Sequence, residues 1–449
     1  MFPQFTALDD LARRMRRASA ELPFARPFGQ VHALSPSFMV IEGLSRWLKL
    51  GALVEIEAPQ GPKLAEVIRL ERDLAHCKPF ETDTGVGLGA KAYPRQPLLL
   101  YPKETWKGRV IDALARPADG GPALDHGDAA IGLFNSPPSA MARQAVGKGI
   151  PTGVRVIDIF APLCLGQRIG VFAGSGVGKS TLLSMLSQSQ AFDSLVISLV
   201  GERGREVREF VEHALGRAAG RAITVVATGD ESPMMRRMAP LTATSVAEYF
   251  RDRGQHVLLI MDSVTRYAHA CREVALSAGE PPVARGYPPS VFSQLPQLLE
   301  RAGPGTAGLG TITGIYSVLV DGDDHNDPVA DAVRGTLDGH IVLNRAIAEQ
   351  GRFPAVDALA SLSRLAGSVW SADQAKATSG MRRLIARFEE TRDLRAMGGY
   401  VAGADSELDS AVEVVPRLYQ LLSQTPGDPP AADAFHDIAA GLSREIGAV

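Results

Sequence analysis

Cysteine, aromatic side chains and net charge are all scarce in this sequence of 449 residues. Its three cysteines stand far apart, which argues against a disulfide framework or a structural zinc site and suits a reducing compartment. Aromatic residues make up 6% of the chain, and its net charge is −3. A chain so close to neutrality is not, as a whole, a binder of polyanions.

Long hydrophobic runs are missing too. The longest runs, such as residues 257–261, have the length of a strand, whereas a membrane-spanning helix needs about 18 apolar residues. The first residues also lack the uninterrupted apolar core of a secretory signal. We therefore expect a cytoplasmic protein that docks, at most, on a membrane complex.

The first 20 residues have the spacing of an amphipathic helix. Apolar residues recur on one helical face, at Leu8, Leu11, Ala12 and Met15. Arginines occupy the opposite face, at Arg13, Arg14, Arg16 and Arg17. We therefore consider two interpretations of residues 1–21. In the first they form a helix that docks on a partner protein or on an anionic membrane surface. In the second they form an ordinary terminal helix with a solvated basic face.

The rest of the chain changes character twice, and this predicts domains over residues 22–98, 99–370 and 371–449. The first region alternates turn residues with short apolar segments, as in a small barrel or sandwich: Phe38–Ile41, Leu53–Ile56, Ala65–Leu70 and Leu98–Tyr101. The second alternates strand-like and helix-like stretches, which indicates βαβ units and a parallel sheet. In the third, helical periodicity prevails.

The strongest chemical signal is AGSGVGKST, residues 173–181, between an apolar strand and a helix. Its glycines let backbone N–H groups approach phosphate oxygens, Lys179 reaches the β and γ phosphates, and the Ser180 hydroxyl is placed for Mg²⁺. One departure is Ala173, where the pattern has its first glycine. We predict a nucleotide site that includes Gly174, Ser175, Gly176, Val177, Gly178, Lys179, Ser180 and Thr181.

An apolar strand that ends in an acid follows downstream, at HVLLIMD, residues 256–262. This is the Walker-B arrangement, in which the carboxylate of Asp262 orders the shell of a bound Mg²⁺. Arg266, four residues later, points the same way as Asp262 if a helix begins here. It then reaches a phosphate or pairs with a surface acid.

Another acid lies directly after the predicted strand over residues 195–200. Glu202 would stand at the carboxyl end of a parallel strand, where ligands bind, and is our candidate for positioning the attacking water. Arg203 lies beside it for the γ-phosphate. The plainer alternative is a helix start with intrahelical salt bridges, because GREVRE has that spacing as well.

A third cluster lies in GRFPAVDALASLSRL, residues 351–365. Phe353 precedes a proline in a loop, where its ring can stack on adenine. Arg364 has the side chain best suited to spread transition-state charge, as an arginine finger from a neighbouring subunit does. From spacing alone, a core phenylalanine and a surface arginine are the simpler interpretation.

Taken together, these stretches resemble the catalytic subunits of the rotary ATP synthase superfamily, over nearly the whole chain past residue 22. The resemblance implies an α/β protein with an N-terminal small β-barrel, a central RecA-like P-loop ATPase domain with a parallel sheet, and a C-terminal helical domain. It assigns phosphate and Mg²⁺ to Lys179 and Ser180, the Walker-B role to Asp262, and the catalytic carboxylate to Glu202.

The resemblance also assigns the remaining candidates. Arg203 and Arg266 would lie near the γ-phosphate, and Phe353 would be the aromatic residue of the adenine pocket. Arg364 would be the finger that reaches the nucleotide of the next subunit. The resemblance implies a homo-oligomer, expected to be a hexamer, in which ATP binds at subunit boundaries.

Longer segments resemble the ATPases of type III protein export, including residues 228–240, 279–303, 321–345 and 398–412. HNDPVADAVR, residues 325–334, is more similar to the flagellar members than to those of virulence injectisomes. The resemblance implies Mg-dependent ATP hydrolysis that energises flagellar export and unloads chaperones or cargo. Its implied partners are a regulatory, stator-like protein at the N-terminal helix, a coiled-coil stalk, membrane proteins of the export gate, and export chaperones with their substrates.

The alternatives are a virulence export ATPase, a rotary synthase catalytic subunit, a hexameric nucleic-acid motor and an inactive structural paralogue. The last is disfavoured because Lys179, Glu202, Asp262 and Arg364 are all present. Residues 376–395 hold six basic and three acidic residues, which disfavours the acidic lever of a synthase. Residues 22–98 offer Trp47 and Tyr93 but no stacking pair in a basic groove, so we predict no nucleic-acid partner.

Overall fold

A computed structural model describes residues 27–320 and 327–446 and divides the chain into two units, residues 1–97 and 98–449. The predicted amphipathic helix over residues 1–21 lies outside the described residues, as do six residues of the export-like segment 321–345. Within the described part of the chain, no helix combines the length and apolar character needed to cross a membrane.

Six antiparallel strands close into a barrel in the first unit, in the order β1-β2-β5-β4-β3-β6. They span Gly29–Leu34 (β1), Met39–Glu42 (β2), Leu53–Ile56 (β3), Lys63–Leu70 (β4), Leu74–Pro79 (β5) and Lys91–Arg95 (β6). Alternate side chains of these strands point inward and fill the barrel, including Val31, Ile41, Val54, Val67, Ala75 and Ala92. The predicted barrel is therefore confirmed.

One predicted barrel segment, Leu98–Tyr101, belongs elsewhere. Its residues Leu99–Leu100 (β7) pair with Ile131–Gly132 (β9) in a separate two-stranded sheet of the second unit. Pro97 and Pro102 flank β7, and since proline has no N–H donor it limits how far this ladder extends.

The second unit is built on a nine-stranded sheet, with the strands in the order β19-β18-β12-β17-β15-β13-β14-β8 and β16 at the side of β17. The sheet strands are Val110–Asp112 (β8), Arg168–Ala173 (β12), Ser194–Val200 (β13), Ala222–Ala227 (β14), His256–Asp262 (β15), Gly303–Pro304 (β16), Thr311–Leu319 (β17), Gly339–Leu343 (β18) and Leu362–Ser363 (β19). A further short pair is formed by Gly149–Ile150 (β10) and Leu163–Cys164 (β11). The central ladders are parallel, as predicted.

Helices cover this sheet and continue past it. They span Arg155–Phe160 (α1), Lys179–Ser187 (α2), Gly204–Glu209 (α3), Pro233–Arg251 (α4), Val264–Ser277 (α5), Pro289–Leu299 (α6), Pro328–Thr336 (α7), Arg345–Glu349 (α8), Ala366–Val369 (α9), Ala372–Glu390 (α10), Arg392–Ala396 (α11), Ser406–Leu422 (α12) and Ala434–Ile446 (α13). A π-helical turn, Phe210–Ala214, follows α3, and 3-10 turns span Ser45–Trp47, Glu104–Trp106 and Gly216–Arg221.

The mainly apolar composition of its central strands explains why the sheet is buried. Strands β13 and β15 are runs of apolar side chains, and almost every residue in them is inaccessible to solvent, as expected for parallel strands covered on both faces. The carboxyl ends of β12, β13, β15 and β17 meet at one edge because these strands are parallel neighbours. The loops that leave this edge carry the predicted chemistry.

Candidate nucleotide-binding site

The phosphate-loop candidate, residues 174–178, leaves β12 and enters α2. Gly176 and Gly178 have φ angles of +78° and +96°, a left-handed conformation that glycine adopts without strain. Val177 is buried in the apolar core and so anchors the loop. The guanidinium of Arg345 donates a hydrogen bond to the carbonyl of Ser175 at 3.0 Å. Two left-handed glycines, a buried valine and this hydrogen bond therefore define the conformation of the loop at the start of α2.

Lys179 lies at the centre of the charged cluster. Its ammonium donates to Asp262 Oδ1 at 2.5 Å and lies 3.7 Å from Glu202 Oε1. The Nε atom of Arg266 lies 3.4 Å from the same Glu202 oxygen. Lys179, Asp262 and Glu202 are largely buried, with 11%, 4% and 12% of their side chains exposed. Four of the predicted residues thus converge on one point.

Sheet register explains this convergence. Leu199 of β13 lies directly beside Asp262 of β15, so Glu202 comes just past the end of the strand next to Asp262. Gly201 has a φ of +69° and no side chain, and a Cβ there would stand 2.7 Å from Arg266 Cδ. The glycine therefore lets Arg266, in the first turn of α5, lie against the backbone and reach Glu202.

Burial raises the pKa of the Glu202 carboxyl above its ordinary value. The Lys179 ammonium opposes this rise, and the neighbouring Asp262 carboxylate adds to it. Within the described residues, Glu202 Oε1 accepts no hydrogen bond. Glu202 therefore offers a buried acceptor oxygen, which is the property required to orient a water molecule.

Two predicted arginines lie apart from this cluster. Arg203 pairs with Glu206 at 3.5 Å and has 79% of its side chain exposed. In the described part of the chain its guanidinium forms no ion pair with Glu202 or Asp262. Arg364 is exposed, and its backbone N–H donates to Asp338 at 2.9 Å. Its guanidinium has no hydrogen bond or ion pair among residues 27–320 and 327–446.

Phe353 lies beside the phosphate loop. Its ring carbons are 3.8 Å from the position that a Cβ of Gly178 would take, and 41% of the residue is exposed. Its carbonyl accepts a hydrogen bond from the N–H of Gln424 at 2.8 Å. An exposed ring next to the loop is where a nucleotide base can stack.

A cavity of about 980 Å³ opens beside the loop, and Ser180, Thr181, Glu202 and Asp262 line it. Further walls come from α2, from residues 206–217, and from two segments that sequence reasoning did not single out, residues 152–154 before α1 and residues 424–430 after α12. No local pattern marks these segments as functional. The run GDPP at 427–430 indicates only a turn, and these walls become visible only when the chain is folded.

Buried polar contacts join two of the cavity walls, residues 152–154 and residues 424–430. Asp158 accepts hydrogen bonds from Thr152 N–H and Oγ1 at 2.8 and 2.7 Å and from Gly153 N–H at 3.2 Å. The side-chain amide of Gln424 accepts from Arg155 N–H at 2.7 Å and donates to the Gly153 carbonyl at 3.0 Å. The loop after α12 is therefore tied to the loop before α1.

The donor set suits a hard cation as well as a triphosphate. The Ser180 hydroxyl and the Asp262 carboxylate line the same cavity, and both are oxygen ligands of the kind that Mg²⁺ prefers.

Comparison with known proteins bears on this site. The pattern of the ATP synthase alpha/beta family, nucleotide-binding domain, matches residues 153–363. That of the T3SS EscN ATPase C-terminal domain matches residues 370–438. A flagellum-specific ATP synthase from Rhizobium meliloti is 55% identical over 438 residues, which are 97% of this chain and 94% of that protein. The chain belongs to the flagellum-specific ATP synthase family.

Two further matches come from type III secretion. A type 3 secretion system ATPase from Xanthomonas euvesicatoria is 42% identical over 92% of this chain and 93% of that protein. The assembled ATPase EscN of enteropathogenic E. coli, solved in complex with its central stalk EscO, has a TM-score of 0.83 and 38% identity over 92% of this chain and 99% of that one. The predicted family, fold and ATPase class are confirmed, and the matched family domain is a nucleotide-binding one.

Proposed function

We propose that this member of the flagellum-specific ATP synthase family hydrolyses ATP in an Mg-dependent reaction and that hydrolysis energises flagellar protein export. The observation that carries the proposal is the convergence of Lys179, Glu202, Asp262 and Arg266 beside a glycine loop that leaves a parallel strand. The flagellar branch is favoured over virulence export because the Rhizobium relative shares 55% of its residues with this chain, against 42% for the Xanthomonas protein.

Each residue has a distinct task in the proposed reaction. The N–H groups of residues 174–181 bind the phosphates, and Lys179 moves from the Asp262 carboxylate to the β and γ phosphates. Glu202 accepts a hydrogen bond from a water molecule and orients it in line with the γ-phosphorus. Its raised pKa makes it a better proton acceptor than an ordinary carboxylate. Arg266, held beside Glu202, contacts the γ-phosphate.

Ser180 and Asp262 would hold Mg²⁺ at this site. When bound, the ion neutralises charge on the transferred phosphoryl group and the leaving oxygen.

Arg364 completes the site of an adjoining copy in this proposal. Two features support it: the guanidinium is exposed, and it has no partner in its own described chain. A positive side chain that spreads transition-state charge is worth about 10³–10⁵ in rate. The functional form is then a homo-oligomer, which we propose to be a hexamer, in agreement with the assembled state of the EscN relative. Arg203 is assigned to the γ-phosphate only after a rotation from its contact with Glu206.

The remaining partners follow from family membership. We propose a coiled-coil stalk as a partner, since EscN was solved in complex with its central stalk EscO, and contacts with export-gate membrane proteins, chaperones and export substrates. A regulatory partner would bind residues 1–21. The protein would be cytoplasmic and peripheral to the inner membrane, with domains over residues 22–98, 99–370 and 371–449.

The decisive experiment replaces Glu202 by Gln. This change keeps the size of the side chain and removes the carboxylate, so ATP binding should stay within a few-fold of the wild type while hydrolysis falls by at least about 100-fold. A strain that lacks its own flagellar ATPase should regain swimming and secretion of flagellar proteins with the wild-type chain and not with the variant. The matched control is Glu212→Gln, because Glu212 pairs with Arg208 and is not among the residues that line the cavity.

Normal hydrolysis by the Glu202→Gln variant would remove that residue from the mechanism. Failure of an active wild-type chain to restore secretion would instead remove the flagellar role.

A further inference from the structure

Strand β17 lies between the strand that leads to the phosphate loop and the strand that ends in Asp262. Its neighbours are β12 on one side and β15 on the other, and the register places Ser317 beside Val171 of β12. On the other side, Tyr316 lies beside Met261, so Ser317 reaches the level of Asp262. A polar side chain at this position stands between the two halves of the nucleotide site.

The Ser317 hydroxyl uses this position to contact the Walker-B acid directly. It donates a hydrogen bond to Asp262 Oδ1 at 2.6 Å, and neither residue is appreciably exposed, at 0% and 3%. Lys179 donates to the same oxygen at 2.5 Å. Two donors, one charged and one neutral, therefore converge on one carboxylate oxygen.

The end of β17 is also tied to the start of α5. Leu319 N–H donates to Thr265 Oγ1 at 2.9 Å, and the Thr265 hydroxyl donates to the Leu319 carbonyl at 3.3 Å. The strand that carries Ser317 is thus clamped to the turn that follows Asp262. The distance between the hydroxyl and the carboxylate is therefore set by the backbone on both sides.

The two donors on Asp262 differ in what they do when a nucleotide arrives. Lys179 is drawn to phosphate oxygens, as proposed above, and then leaves Asp262. Ser317 has no such alternative, because its hydroxyl is enclosed in the sheet. A buried carboxylate that loses its cation needs another hydrogen bond to keep its orientation and its charge.

From this geometry we propose that Ser317 is a positioning residue for the Walker-B carboxylate. It keeps one oxygen of Asp262 hydrogen-bonded after Lys179 has moved to the phosphates, so that the carboxylate is oriented for Mg²⁺. The proposal rests on the proposed function, and it concerns the metal-dependent part of nucleotide binding rather than contact with the phosphates.

A buried serine on the next strand provides a matched control. Ser198 of β13 lies beside Met261, on the other side of β15, and is likewise 0% exposed. Its hydroxyl has no hydrogen-bond partner in the described part of the chain. Ser198→Ala and Ser317→Ala remove the same atom at similar depth in the same sheet, and only the second removes a bond to Asp262.

The experiment measures the affinity of the full-length chain for a fluorescent ATP analogue, once with Mg²⁺ and once with EDTA. In EDTA, Ser317→Ala should bind the analogue with unchanged affinity. The gain is the factor by which Mg²⁺ raises the affinity over its value in EDTA. We expect the gain of Ser317→Ala to be about 10- to 100-fold smaller than that of the wild type, the usual effect of removing a group that orients a metal ligand. Ser198→Ala should keep the full gain. Circular dichroism and thermal midpoints establish that both variants are folded.

Two results would overturn the role of Ser317: a wild-type Mg²⁺ gain in Ser317→Ala, or an equal loss of that gain in Ser198→Ala. Hydrolysis by the wild-type chain is measured in the same preparation. An inactive wild type counts against the proposed function, whereas the ratio of the two affinities decides the role of Ser317 in either case.

Discussion

At the scale of single residues, the candidate site places buried carboxylates next to a buried ammonium group. Lys179 neutralises two buried carboxylates at once, those of Asp262 and Glu202. A buried charge that loses its partner destabilises the fold by about 3–5 kcal/mol. Lys179 is therefore a structural residue as well as the lysine of the proposed mechanism.

Replacing Lys179 by Ala should have two separable effects. Hydrolysis should fall by at least about 100-fold, because the phosphates lose a fixed positive charge. The thermal midpoint without nucleotide should also fall, since Asp262 is left buried without a cation. Adding Asp262→Asn should recover the midpoint but not hydrolysis. A double variant that is no more stable than Lys179→Ala would show that the ion pair does not stabilise this protein.

At the scale of secondary-structure elements, the cavity depends on how loops are attached to helices. The loop before α1 is held by Asp158, and the loop after α12 is held by Gln424. Burial raises the pKa of Asp158 to about 6, although the hydrogen bonds from Thr152 and Gly153 oppose the rise. A buried acid with a raised pKa therefore supports Thr152 and Gly153, which line the cavity.

This acid predicts a dependence of stability on pH. The folded-state pKa of Asp158, about 6, exceeds its ordinary value of 3.8, so the folded chain binds the proton more tightly than the unfolded chain. The stability contributed by this group is therefore lost as the pH rises from about 4 to about 6, by up to about 3 kcal/mol, and is constant above that range.

The Asp158→Asn variant cannot titrate at this position and is the reference. Denaturation of both chains between pH 4.5 and 7 should show the wild type losing stability relative to the variant as the pH rises. A difference between the two chains that does not change with pH would contradict the prediction.

At the scale of the whole molecule, the C-terminal helices share a core with the sheet that carries the site. Ile385, Ala411, Val415 and Leu418 pack in the same apolar cluster as residues of β12, β13 and β15. Movement of the cavity walls is thereby linked to helices far along the chain. The last link of the proposed mechanism, Arg364, lies outside this chain's own cavity and requires a second copy.

The shared site predicts complementation between inactive variants. Arg364→Ala rings should lose about 10³-fold or more in hydrolysis. Mixing this variant with Lys179→Ala should restore part of the rate, because some boundaries then combine an intact Lys179 pocket with an intact Arg364. Differently tagged chains establish that mixed rings form. Mixed rings that stay inactive, or full activity of Arg364→Ala rings, would exclude a finger from the neighbour.

Charge counting along the C-terminal helices illustrates where sequence reasoning falls short. The excess of basic residues in 376–395 disfavours an acidic lever, yet several of these arginines are paired in the fold. Arg383 and Arg387 form ion pairs with Glu407 and Asp405, which lie outside the window, and Arg382 donates to the carbonyls of Phe160 and Ser361. A linear count cannot include partners that only the fold brings close.

The sequence alone determined those parts of the protein whose physics is local. A glycine loop between a strand and a helix, an apolar strand ending in Asp262, and alternating strand and helix periods each need only neighbouring residues, so their pattern is legible along the chain. Tertiary structure alone decided that Ser317 bonds Asp262, that Gln424 closes the cavity, and that Arg203 turns to solvent. Those outcomes depend on strand order, on contacts between residues more than fifty positions apart, or on the space around a side chain. A local sequence pattern carries no information about any of these.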